Sequence, residues 1–400
     1  MHEVFPGHVT SPAGFLAAGV HAGIKRSRED LAIIASDRQA AAAAVFTTNR
    51  VKAAPVLYTR RALRGNRLQA VVANSGNANA CTGPTGYRDA RTMAGDTARA
   101  LGLKATRVAV ASTGVIGVPL PMDQVRPGIA AAVHALSVEG GPGAARAIMT
   151  TDTFPKTLAA RFSAHGTEYI VGGMAKGSGM IHPQMATTLG FITTDACLDG
   201  TDLAGCLRQA IDVSFNMITV DGDTSTNDMV LVMANGAAGG PRLLPGTPEL
   251  EAFGQALEAV CTGLAKQVVM DGEGATKFME VKVGGAASVK DARKAARAVA
   301  GSSLVKTAVF GADGNWGRIL CALGYSGARF RPERVNLAIC GLKVVSGGCP
   351  VNYSESHLKE LLSSREILVS VHLGAGEAEA ISWGCDLTYE YVRINGSYRS

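Results

Sequence analysis

The sequence lacks any long basic stripe interleaved with aromatic residues. Aromatics make up 5% of the chain, and a net charge of +6 is mild for 400 residues. Its basic runs are short, Lys25-Arg26-Ser27-Arg28 and Arg60-Arg61, and read as solvated faces. No nucleic-acid partner is expected. No apolar run approaches the ~18 residues needed to span a bilayer, so no membrane partner is expected either. The opening MHEVFPGHVTSPAGF has neither the basic stretch nor the apolar run of a signal peptide. Eight cysteines occur without one C-x-x-C pair, and Cys206, Cys321 and Cys340 sit in apolar runs. That usage argues against a disulfide scaffold or a zinc site and for a reduced, cytoplasmic protein; no metal is expected.

Several catalytic signatures are missing too. There is no G-x-x-x-x-G-K-[ST] phosphate loop and no G-x-S-x-G elbow. The glycines of GADGNWG (Gly311, Gly314, Gly317) do not have dinucleotide-binding spacing. DGDTSTND, Asp221 to Asp228, looks like a calcium loop but has Thr226 and Val232 where a glycine and an acid belong. It reads as a polar turn before a strand. The eight histidines are scattered, and His182 reads as a loop residue.

Glycine is what the chain has in excess, 48 residues with no triplet period. That implies many tight turns and close backbone approaches. The length suggests two domains. Strand and helix signals alternate. LQAVVANS, RVAVAST, EYIVGGMAKG, TTLGFITTD, DMVLVMANG, KFMEVKVGG, RVNLAICG, REILVSVHLG and DLTYEYVRIN read as strands. Ala90, Met93, Ala94, Ala98 and Leu101 recur at helical spacing, with Gly102 as a C-terminal cap. Leu203 to Ile211 repeats that spacing. Thr247-Pro248 opens a long helix, and Ser288 to Gly301 forms another. The mix predicts an α/β or α+β fold with much antiparallel pairing.

One junction invites chemistry. In MAKGSGMIHPQMATTLGFITTDA, a glycine-rich loop reaches Ala186 and then Thr187, Thr188 and a buried strand. A threonine hydroxyl is a weak nucleophile until a base takes its proton. Cutting the Ala186–Thr187 bond would create that base, the α-amine of Thr187 itself. Its unperturbed pKa of ~7.7–8 leaves a useful neutral fraction, and no histidine is then required. Ala186 is small enough to leave the carbonyl approachable. An oxyanion also needs donors. ASTGVIG offers the Thr113 hydroxyl and the Gly114 N–H at a strand end, although a plain strand-to-loop turn would read the same way.

Together with TTDTFPK, DGEGATK, VDGDTSTND, NSGNANACTG, FTTNRVKAAPV and the terminal YVRINGSYRS, these motifs resemble the ornithine acetyltransferase (glutamate N-acetyltransferase) family of arginine biosynthesis. The likeness runs through essentially the whole chain, in order. It implies autoproteolysis at Ala186–Thr187, giving an α chain of residues 1–186 and a β chain of 187–400. It implies Thr187 as nucleophile, Thr113 and Gly114 as oxyanion hole, and substrate contacts at Thr153, Lys176, Thr187, Glu273, Asn395 and Ser400. The implied reaction passes an acetyl group from N-acetylornithine to glutamate through an acetyl-threonine, by a ping-pong route without a cofactor. Some members also take acetyl-CoA as donor. The implied fold is a layered α/β sandwich with mixed sheets, distinct in topology from the Ntn-hydrolases, with a smaller C-terminal α/β region. The implied assembly is built from αβ pairs, often α2β2.

The chain departs from the commoner family pattern at Gln184, Thr188, Gly314 and the NGSY of its last residues. Thr188 is expected to face away from Thr187 and is given no chemistry. Two competing readings remain: an N-terminal-nucleophile aminopeptidase or amidase on the same fold, and a non-catalytic small-molecule binding protein. A Cys81 thiol nucleophile lacks a histidine partner.

Overall fold

The strand Met229–Ala234 shows how the fold is organised, because all six of its residues are buried. Val230 and Val232 point into one apolar cluster, while Met229, Leu231 and Met233 point into another. A strand covered on both faces reads as a continuous apolar run, and it belongs at the centre of a layered fold. The computed structural model describes residues 2–182 and 188–397.

Among the described residues a nine-stranded mixed sheet surrounds that strand. Its order is His2–Phe5, Lys156–Ala164, Thr167–Lys176, Leu189–Thr194, Met229–Ala234, Leu31–Phe46, Arg67–Asn77 and Val108–Val115, with Phe15–Val20 paired to Leu31–Phe46. Leu189–Thr194 runs parallel to Met229–Ala234, and Arg67–Asn77 runs parallel to Val108–Val115. The other pairings are antiparallel. The register of Leu31–Phe46 on Arg67–Asn77 shifts between Ala35 and Ala40. An irregularity of that kind bends a strand.

Helices Gly200–Val213 and Pro248–Met270 pack on one face of this sheet. The second begins where the sequence places it: Thr247 is the N-cap, its hydroxyl accepts from the Leu250 N–H, and Pro248 fills the first turn. Helix Gly83–Leu101 packs on the opposite side. A second, seven-stranded mixed sheet is built mainly from Phe278–Ala286, Asn336–Ile339, Glu366–His372 and Ala378–Cys385. Helix Val289–Gly301 covers it and is capped by the Ser288 hydroxyl. Both sheets and the helices between them share one buried cluster. This is the layered α/β architecture with mixed sheets and a smaller C-terminal α/β region. Among the described residues no helix is long and apolar enough to cross a membrane.

One expected strand is a helix instead. YEYVRIN belongs to Tyr389–Ser397. Its tyrosines and valine favour strands in general. Here Thr388 caps the first turn by accepting from the Tyr391 N–H at 3.3 Å, and Glu390 pairs with Arg393 at 2.6 Å along the helix. Tyr389 and Val392 are exposed and find no neighbouring strand to pack on. Local capping and i,i+3 pairing therefore outweigh the residue preference.

Candidate active site

Four strands deliver their ends to one pocket of about 90 Å³. Val108–Val115 brings Thr113 and Gly114. Thr167–Lys176 ends on Lys176. Leu189–Thr194 is preceded by Thr188, and Met229–Ala234 by Asp228. Glu273 and Asn395 close the wall from the loop after the long helix and from the C-terminal helix. The pocket thus collects Thr113, Gly114, Lys176, Glu273 and Asn395, which the sequence scatters over almost 300 positions.

Lys176 is 9% exposed, and its ammonium donates to Thr113 Oγ1 at 3.3 Å. The Thr113 hydroxyl proton is therefore left for another acceptor. Among the described residues no carboxylate touches the Lys176 ammonium. Burial lowers its pKa, with Asp152 opposing and Lys156 assisting the fall. Gly114 has a φ of 131°, and a Cβ there would lie 2.3 Å from the carbonyl carbon of Gly76. Only glycine fits that conformation and that approach.

The Glu273 carboxylate lies over Gly179, where a Cβ would come within 2.4 Å of it. Asn395 Nδ2 donates to Glu273 Oε2 at 2.8 Å, and the Glu273 N–H donates to Ser178 O at 2.8 Å. Asp221 accepts from the N–H groups of Met180 and Ile181 at 2.6 and 2.9 Å, and Tyr391 donates to it at 3.3 Å. The glycine loop and the C-terminal helix are thereby fastened to the same carboxylate.

Thr153 is not on the pocket wall. Its N–H donates to Asp271 Oδ2 at 2.9 Å and its hydroxyl to Oδ1. Thr151 is on the wall, its hydroxyl 2.6 Å from that of Ser178. Ala186, Thr187, Gln184 and Ser400 lie outside the described residues. His182 sits off the pocket with Nδ1 3.2 Å from Thr219 Oγ1, its pKa lowered by burial and by Arg297. Cys81 is exposed and is not part of the wall.

Behind the pocket lies an ion triad that the sequence did not announce. Lys156 Nζ is 2.6 Å from Asp152 Oδ1 and 2.6 Å from Asp271 Oδ2, with all three residues buried. Asp152 also accepts from the N–H groups of Gly177 at 2.7 Å and Thr150 at 2.8 Å, so it sets the loop on either side of the wall. Burial works to raise its pKa, but Lys176 and Lys156 hold it down to about 2. A carboxylate with a depressed folded pKa contributes stability above its unfolded value of 3.8, and that contribution disappears as pH falls through about 2. Asp152→Asn should cost about 3–5 kcal/mol, the usual penalty for breaking a buried pair. Denaturant unfolding at pH 7 measures it, and the difference from wild type should shrink below pH 4.

Ser225 to Asp228 also line the pocket, in the segment that reads as a turn from sequence. Asn227 Nδ2 donates to Ala78 O at 2.6 Å and to Ser112 O at 2.8 Å, clamping this segment against the Thr113 strand. The FTTNR motif supports it from outside: Thr47 Oγ1 donates to Ser225 O at 2.8 Å and Asn49 Nδ2 to Thr224 O at 3.0 Å. Thr188, given no chemistry from sequence, is on the wall as well.

Comparison with known proteins adds an independent line. The ArgJ family model matches residues 16–400. A relative from Symbiobacterium thermophilum, the arginine biosynthesis bifunctional protein ArgJ, is 60% identical over 401 residues, covering 100% of both chains. A crystal structure of the arginine biosynthesis bifunctional protein ArgJ from Bacillus halodurans is 48% identical with a TM-score of 0.51, covering 52% of this chain and 98% of that one. A structure of ornithine acetyltransferase complexed with ornithine from Mycobacterium tuberculosis is 48% identical with a TM-score of 0.44, covering 46% of this chain and 100% of that one.

Proposed function

The chain belongs to the ArgJ family, N-acetyltransferases of arginine biosynthesis, and from that premise we propose that it carries acetyl from N-acetylornithine to glutamate through Thr187. The carrying observation is the convergence of Lys176, Thr113, Gly114, Glu273 and Asn395 on one pocket. A buried lysine without a touching carboxylate suits the α-carboxylate that both substrates share. Glu273 suits an ammonium, and Asn395 fixes its orientation.

The chain first cuts itself at Ala186–Thr187, and the new α-amine of Thr187 then serves as base. Thr187 attacks the acetyl carbonyl. The Thr113 hydroxyl and the Gly114 N–H take the developing oxyanion, ornithine leaves, and acetyl-Thr187 remains. Glutamate enters the same pocket and removes the acetyl group by ping-pong transfer. In support of the cut, about half of this chain accounts for nearly all of the solved Bacillus halodurans chain. Residues 187–400 are likewise about half. The relatives are called bifunctional, and acetylation of glutamate from acetyl-CoA is the second activity we assign. Two copies of each chain form the assembly, and neither metal nor resident cofactor takes part.

The test is acceptor dependence. Beyond a burst of one acetyl group per site, acetylornithine should disappear only when glutamate is present, with one N-acetylglutamate formed per ornithine. Equal loss without an acceptor would make the protein an amidohydrolase. Binding without turnover, in a chain that stays whole, would make it a binding protein.

A further inference from the structure

Acetyl transfer between amines requires one proton that the nucleophile does not supply. When Thr187 becomes an ester, its hydroxyl proton turns the leaving amide nitrogen into a neutral amine. Ornithine's α-amine enters water as an ammonium and needs a second proton. Glutamate arrives as an ammonium and must lose one before it can attack. The site therefore has to give a proton in the first half-reaction and recover it in the second.

Asp228 is placed for that exchange. It is 3% exposed, lines the same pocket as Thr113 and Gly114, and its Oδ2 has no hydrogen-bond partner among the described residues. The Thr188 hydroxyl, on the same wall, is also without a partner among the described residues. The two residues immediately precede neighbouring parallel strands, where the Met229 N–H donates to Thr188 O at 2.9 Å. Buried polar atoms left unpaired are rare and call for an explanation, and here two such residues line one pocket. Burial pushes the Asp228 carboxyl well above the usual carboxylate range, against the opposing pull of Ser225 and of the Lys176 ammonium. Glu273, the other carboxylate on the wall, is already engaged by Asn395.

Resting on the acetyl-transfer reading above, we propose that Asp228 is a catalytic proton carrier: as the acid it protonates the departing ornithine amine, and as the carboxylate it deprotonates the incoming glutamate ammonium. The carboxyl O–H bond breaks as the ornithine N–H bond forms, and it forms again as the glutamate N–H bond breaks. Over one cycle the proton count is unchanged and no outside acid is needed.

Acetylated wild type and Asp228→Asn, challenged with glutamate or with hydroxylamine, test this. Hydroxylamine is already the free amine at neutral pH and needs no deprotonation. Asp228→Asn should slow transfer to glutamate by about 100-fold or more and leave transfer to hydroxylamine nearly unchanged. Equal slowing with both acceptors overturns the assignment. Should the variant fail to mature, wild type supplies a second measurement. In weakly buffered indicator solution, acetyl-enzyme formation with release of ornithine should draw no proton from the medium. Uptake of one proton per acetyl group in step with acetylation, rather than after ornithine has left, overturns the assignment. A wild type that never becomes acetylated by acetylornithine defeats the transfer reading instead, and the two failures are thereby distinguishable.

Discussion

Thr187→Ala should give one unbroken 400-residue chain whose turnover is lower by on the order of 10⁶-fold, the scale of losing a nucleophile. Both losses have one cause. Alanine offers no hydroxyl to attack the Ala186 carbonyl, and without the cut there is no free α-amine to act as base. Thr187→Ser keeps a hydroxyl and should still mature. Intact mass spectrometry reads the cut, and single-turnover acetylation reads the nucleophile. The cut should not release the halves. Thr167–Lys176 and Leu189–Thr194 flank it and pair antiparallel from Val171–Thr194 to Lys176–Leu189, so the two chains meet inside one sheet. The native mass of cleaved wild type and uncleaved variant should therefore agree. A variant that still separates at 186/187 ends the role of Thr187.

Much of the fold is legible because its determinants are local. Met229–Ala234 is an uninterrupted apolar run, and Thr247 and Ser288 are hydroxyl caps ahead of apolar periodicity. Tyr389–Ser397 is misread because strand-favouring side chains sit on a helix that is held by its cap and one ion pair. The site divides in the same way. Thr113 and Gly114 line the pocket from a strand end that ASTGVIG makes legible, and Lys176, implied by the resemblance alone, lines it too. The Asp152–Lys156–Asp271 triad is not legible, since Asp271 lies over 100 residues away and its role exists only in three dimensions. Asp228 was in view within DGDTSTND, but a polar turn and a pocket wall have the same composition. What separates them is an oxygen left without a partner among the described residues, which only packing reveals.

Gly114→Ala should lower kcat by about 10²–10³-fold, comparable to losing one oxyanion donor, with a smaller change in KM. The added Cβ would stand 2.3 Å from the Gly76 carbonyl carbon and 2.5 Å from the Asn77 nitrogen. Both are backbone atoms, so no rotamer change relieves the clash. The φ of 131° is also one that alanine rarely adopts. Nor can the neighbouring chain move aside easily. Ser112 Oγ donates to Asn74 Oδ1 at 2.6 Å, and Asn227 grips Ser112 O at 2.8 Å and Ala78 O at 2.6 Å. Relief must come from displacing residue 114, and its N–H moves with it. Gly117→Ala is the control. Its φ is 80°, but no atom lies within 4 Å of the added Cβ, so it should cost about 1 kcal/mol of stability and keep kcat. The contrast between the two variants, measured on cleaved enzyme, separates a lost oxyanion donor from a merely strained turn. A Gly114→Ala enzyme that kept its kcat within a few-fold would remove the Gly114 N–H from the mechanism.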